Sequence, residues 1–161
     1  MGLLSPGYAP RGVVALLMDL PDSPAVENTE TMVYELPFRS APKRIYRVNI
    51  RLGRADTNST GDAAAHSAKN SLVMRCRWAA GSTVTTSSTS LGDYRVTVFD
   101  DDSNTSTGVS TDFYLINPPA GQLTVGISIR AARVAATYGN VRVIADGHAH
   151  LAVEDVGPFS E

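Results

Sequence analysis

The chain holds one cysteine, Cys76, in 161 residues. No internal disulfide can form, and nothing in the sequence calls for an oxidising compartment. Cys76 stands among apolar neighbours and reads as a small buried hydrophobe, since a nucleophile would want a histidine partner and a shaped cleft. Histidine is scarce, with three residues, and aromatics make up 7% with a single tryptophan. The formal net charge of −2 supplies no field for steering nucleic acid, so a nucleic-acid partner is not expected. No GxGxxG or GxxxxGK[ST] phosphate loop occurs, and no GxSxG nucleophile elbow. With no catalytic set, neither enzymatic activity nor a cofactor is expected.

No apolar run approaches the roughly 20 residues of a membrane span. The opening "MGLLSPGYAPRGVVALLMDL" also fails as a signal peptide, because its only early cation is Arg11 and Asp19 cuts the apolar run short. A myristoylation pattern would need Ser or Thr where Pro6 stands. A protein made in the cytoplasm, with no membrane contact and no cleavable export signal, is the expectation.

What the chain has is alternation. It is 43% hydrophobic and 19% charged, which is globular, and 13 Gly and 9 Pro punctuate short β-rich runs. Residues 1–12 hold two prolines and three glycines and read as an extended arm. "VVALLMDL" at 13–20 is apolar, but too short to assign by periodicity. In "KRIYRVNIRLGR" (43–54), Tyr46, Val48, Ile50 and Leu52 share one face, with Arg47, Asn49 and Arg51 on the other. "SLVMRCRW" (71–78) points Leu72, Met74, Cys76 and Trp78 inward and Arg75 and Arg77 outward. "DYRVTVFD" (93–100) sends Tyr94, Val96 and Val98 inward. In "QLTVGISIRAARVAAT" (122–137), Leu123, Val125, Ile127 and Ile129 face the core, and Thr124, Ser128 and Arg130 face out. "ETMVYELPF" (30–38), "VSTDFYLI" (109–116) and "VRVIADGHAHLAVEDVG" (141–157) complete the set, with a bend at Gly147 and pairing that stops at Gly157–Pro158. Seven or eight strands with little helix predict an all-β, antiparallel, jelly-roll-like sandwich. Residues 1–42 are the N-terminal arm and first strands, free to dock on neighbouring subunits; 43–161 form the sandwich, with one domain overall.

Three features invite a chemical reading. His148 and His150 fall on one strand face, within reach of one ion. The chain's other histidine, His66, lies on a distant loop, and only Glu154 stands near as an acid, so partly exposed histidines are expected there and no metal site. Asp100, Asp102 and Asn104 open like a calcium loop, but Thr105 and Thr111 occupy the positions that demand Gly and Glu, which leaves a hairpin turn. Glu154 and Asp155 are neighbours, and alternation sends them to opposite faces. Among the aromatics Tyr34, Tyr46, Trp78, Tyr94, Phe113, Tyr114 and Tyr138, most are expected in the core, Trp78, Tyr46 and Tyr94 by their alternation. Tyr114 and Tyr138 are the better candidates for an exposed, glycan-binding face.

"RIYRVNIRLGR", "VMRCRWAAG" with its Ser/Thr loop, "LTVGISIRAARV" and the terminal "LAVEDVGP" resemble the strands of small minor tail proteins of actinobacterial phages. The likeness spans about residues 43–158 and is a strand pattern, not an active-site signature. It implies a virion structural protein at the tail tip or on fibres, assembled with other virion proteins as a symmetric oligomer, expected to be a trimer. Related sandwich modules decorate phage heads, so capsid decoration stands as an alternative. A host-glycan adhesin is a further one.

Overall fold

A computed structural model describes residues 9–58, 69–99 and 106–159. The alternating segments become nine strands: β1 (Gly12–Met18), β2 (Thr31–Ser40), β3 (Arg44–Asn58), β4 (Lys69–Ala80), β5 (Thr89–Phe99), β6 (Thr107–Ile116), β7 (Gly121–Ala131), β8 (Asn140–Ile144) and β9 (His150–Pro158). The one helix among the described residues is the single turn α1 (Ala135–Tyr138). One sheet runs β1-β9-β3-β6, with β8 paired to the far end of β3; the other runs β2-β7-β4-β5.

The pairings β1 with β9, β2 with β7, β3 with β6 and β4 with β5 are all antiparallel and nest inside one another. The chain is thus one long double ribbon wound into two facing sheets. That is the jelly-roll order, and β8 is an extra strand added to it. Residues 12–40, read from the sequence as arm and first strands, contribute an edge strand to each sheet. They place Leu20, Val26, Tyr34, Leu36 and Phe38 in the core.

The inner faces follow the period-two rhythm. Tyr46, Val48, Ile50 and Leu52 from β3 meet Leu72, Met74 and Cys76 from β4 and Leu123, Val125, Ile127 and Ile129 from β7, each at most 1% exposed. Burying each large aliphatic side chain is worth about 1.5–3 kcal/mol. Tyr46 buries its ring edge-on to Phe38 at 5.1 Å, and its hydroxyl accepts the Ala41 N–H at 2.7 Å. Tyr34 donates its buried hydroxyl to the Pro21 carbonyl at 2.7 Å, and burial pushes its pKa up to about 12.

Two readings of the alternation need correction. Tyr94 is exposed, not core: it keeps the inward parity of Val96 and Val98, opposite Met74, but it lies on the edge strand β5, where the sheet ends. The outer face of the β2–β7–β4–β5 sheet is also not simply wet. Residues 81–88 fold back over it, held by Gly81 N–H to the Gln122 carbonyl and by the Thr124 hydroxyl to the Gly81 carbonyl, both 2.8 Å. Val84 is buried there against Gly126, where an added Cβ would stand 2.4 Å from Val84 Cγ1 and 2.8 Å from Met32 Sδ. Thr124 is consequently fully buried and Arg77 nearly so, while Ser128, also fully buried, donates its hydroxyl to Glu30. Trp78 is only partly buried.

The chain's two ends meet at one buried ion pair. Arg44 Nε donates to both Asp155 oxygens at 2.9 Å, and its Nη2 reaches Asp155 Oδ1 and, at 2.6 Å, the Ala9 carbonyl. Gly157 N–H adds a bond to Asp155 Oδ1 at 3.1 Å, and Arg11 N–H donates to the Asp155 carbonyl at 3.2 Å. Alternation from Leu151 and Val153 turns Asp155 inward, between β3 and the incoming N-terminal segment, and Val156 bulges out of the β3–β9 ladder just after it. Pairing does not stop at Pro158, because Phe159 N–H still donates to the Lys43 carbonyl at 2.9 Å.

Replacing Arg44 with Met strands the Asp155 carboxylate in the interior and is expected to cost about 3–5 kcal/mol in urea unfolding. The double variant Arg44→Met with Asp155→Leu removes both charges and recovers most of that loss. Cys76 is wholly buried, with its thiol pKa pushed up to about 12. Its reaction with a thiol reagent is therefore expected only at the rate of unfolding; fast labelling of folded protein contradicts this packing.

Candidate interaction surface

The outer face of the β1-β9-β3-β6 sheet carries an open hollow of about 370 Å³. Its register builds it in rows: Met18, His150 and Arg51 in one, Leu16, Ala152 and Asn49 in the next, then Val13, Glu154 and Arg47. One side is therefore apolar and belongs to β1, and the other is polar and belongs to β9 and β3. Val13, Leu16 and Met18 are each about half exposed, at 54%, 51% and 49%. Across the sheet on β6, Tyr114 and Ile116 are as open, and Val156 adds its bulged side chain.

The polar side is internally matched. Glu154 accepts from Arg47 Nε at 3.0 Å and from its Nη2. Asp112 accepts from Asn49 Nδ2 at 2.7 Å, and lies 3.9 Å from Arg47. His150 Nε2 meets Asn49 Oδ1 at 2.9 Å, and its Nδ1 lies 3.3 Å from the His148 carbonyl, so both ring nitrogens are engaged. His148 is exposed on the preceding turn. That turn is held by Asp146, whose Oδ1 accepts the His148 and Ala149 N–H groups at 2.9 and 2.7 Å; those two bonds pull its carboxyl below the usual range. Asp146 in turn packs on Gly53, where an added Cβ would fall 1.2 Å from Asp146 Oδ2.

His148 and His150 do lie together, but Glu154 is four residues along the strand from His150, about 13 Å, and is tied to Arg47. No three His, Cys, Asp or Glu side chains converge as a metal set among the described residues. Asp100, Asp102, Asn104 and His66 lie outside the described residues. Glu154 and Asp155 point to opposite faces, one to Arg47 and the other to Arg44. Tyr114 is exposed, whereas Tyr138 is half-covered by the Arg133 guanidinium, 3.2 Å from its ring centre. Phe113 is buried.

Sequence reasoning missed the ion cluster on the opposite sheet. Glu30 accepts from Arg77 at 2.6 and 2.9 Å, from Arg75 at 3.1 Å and from the Ser128 hydroxyl at 2.6 Å, while Arg75 also grips Asp93. The Arg77 bond is the main reason the Glu30 carboxyl sits below its usual range, and the Arg75 bond does the same for Asp93. The alternating arginines of "RCRW" were the visible signal; the acid that joins them lies 45 and 47 residues earlier.

These features define an antiparallel jelly roll whose charged groups pair with one another and whose uncovered feature is apolar. The whole chain, residues 1–161, matches the family described as "Domain of unknown function (DUF7298)", and it belongs to that family. No curated protein matches it. Among solved structures, it is similar to the infectious bursal disease virus particle protein, at 14% identity and a TM-score of 0.46 over 98% of this chain and 36% of that one. The VP2 subviral particle of the same virus gives 9% and 0.42, over 98% and 46%. The insecticidal delta-endotoxin Cry8Ea1 of Bacillus thuringiensis gives 13% and 0.42, over 81% and 18%. The chain thus spans less than half the length of each of these proteins.

The depressed carboxyls of Glu30 and Asp93 carry a pH consequence. Their contribution to stability is fully present above their ordinary values of 4.5 and 3.8, and is lost as pH falls through the lower folded values. Thermal unfolding from pH 7 downward should therefore show a steeper loss below pH 4.5 in the native protein than in Glu30→Gln; equal slopes contradict the pairing. Gly53→Ala should displace Asp146 and speed amide exchange at His148 and Ala149, with the core amides unchanged.

Proposed function

We propose that this chain is a structural protomer of a phage virion, placed at the tail tip or fibres and built in as copies alongside other virion proteins. The observation that carries the reading is the set of half-exposed apolar side chains at the two edges of one sheet face, Val13, Leu16 and Met18 on β1 and Tyr114 and Ile116 on β6. Large apolar side chains grouped and left open in this way mark a contact to be covered. The strand-pattern resemblance over residues 43–158 points to the same class of protein. The charged groups support it as well: Arg44–Asp155 and Arg75–Glu30–Arg77 stabilise the sandwich, and in the hollow Glu154 is held by Arg47 and His150 lies beside Asn49. The polar half of the hollow then orients a partner, and the apolar half supplies the burial.

Electron micrographs of purified phage particles labelled with an antibody to this chain test the proposal. Label at the tail tip is expected. Label over the head replaces the tail with capsid decoration, and particles that carry no label overturn the virion role.

A further inference from the structure

We infer that the β6–β3 side of the open sheet face binds a neutral sugar, its ring stacked on Tyr114 and one hydroxyl bridging Arg47 and Asp112. The register brings these three side chains together. Tyr114 stands opposite Arg47 across the ladder, about 5 Å away, and Asp112 lies two residues back along β6, about 7 Å away on the same face. Tyr114 is 53% exposed. Arg133 lies over the ring of Tyr138, but no cation or second ring stacks on Tyr114 among the described residues.

The polar groups beside that ring are fixed in place, and each keeps an open position. Asn49 donates its amide to Asp112 Oδ1 at 2.7 Å, which leaves the Asn49 oxygen to His150 Nε2 at 2.9 Å. Three side chains are thus locked in a line across β6, β3 and β9. Glu154 holds Arg47 through Nε and Nη2, both on Oε2. Asp112 Oδ2 and Arg47 Nη1 are left facing each other at 3.9 Å, too far apart for a hydrogen bond. One hydroxyl between them accepts from the guanidinium and donates to the carboxylate, which neither an ammonium nor a carboxylate can do. The exposed ring next to that gap offers a flat apolar surface to the C–H face of the molecule that carries the hydroxyl. The open atoms of Asp112 and Glu154 are both carboxylate oxygens and repel an anion, so the sugar is neutral. The inference rests on these side chains and holds wherever the protein resides; the apolar side of the hollow on β1 stays available to the partner proposed above.

The test applies the full chain to a printed array of neutral and acidic oligosaccharides, whose density makes a weak contact measurable. Binding to neutral glycans is expected. Asp112→Asn keeps the size of the side chain and its bond from Asn49 but turns a donor toward Arg47, and should weaken binding about tenfold or more. Tyr114→Ser should do the same, whereas Tyr114→Phe keeps the ring and retains binding, as does Val134→Ser, an exposed position beside α1. Asp112 and Tyr114 are both exposed, so thermal midpoints are expected to hold and to separate lost binding from lost fold. A flat array overturns the inference and leaves the virion reading standing. Binding to acidic glycans alone overturns it too, as does neutral binding indifferent to Asp112→Asn and Tyr114→Ser.

Discussion

Arg44 and Asp155 hold the two ends of this fold together. A jelly roll is a ribbon wound on itself, and its outermost pair is β1 with β9. The buried guanidinium of Arg44 opens β3, grips the carboxylate of β9 and takes the Ala9 carbonyl ahead of β1. Three strands that are far apart in sequence are thereby aligned at one point. Desolvating such a pair has a large cost, and the geometry offsets it by satisfying the carboxylate from several donors at once. Alternation turns Asp155 inward, and the bulge at Val156 with Gly157 at φ of +137° brings the Gly157 N–H onto its carboxylate.

The two outer faces are finished differently. Over Gly126 the 81–88 loop seals one sheet, and the arginines of β4 are consumed by Glu30, Asp93 and the Ser88 carbonyl. The other sheet has no such cover among the described residues. Its polar side chains pair with one another, and its apolar ones, concentrated on β1 and β6, stay half exposed.

Much of this was legible residue by residue. Tyr46 through Leu52, Leu72 through Cys76 and Leu123 through Ile129 are buried in the rhythm their spacing gives, because a strand's side chains alternate whatever surrounds it. Tyr94 kept the inward parity of Val96 and Val98 yet stayed exposed, because it stands on an edge strand, and which strand lies at an edge has no mark in local spacing. Thr124 and Ser128 are dry, because the 81–88 loop covers the first and Glu30 takes the hydroxyl of the second. His148 and His150 were rightly seen as neighbours, but that His150 is held by Asn49, some hundred residues earlier, could not be read from their spacing.

Most strands, most of their inward faces, the two-layer class and the lack of an internal disulfide were readable from local periodicity or a simple count. Which strands are neighbours, which acid meets Arg44 or Arg77, and how far Tyr94 is covered come from the folded arrangement alone. Those are matters of long-range closure: they depend on contacts between residues tens to more than a hundred positions apart, and backbone alternation carries no record of its partner.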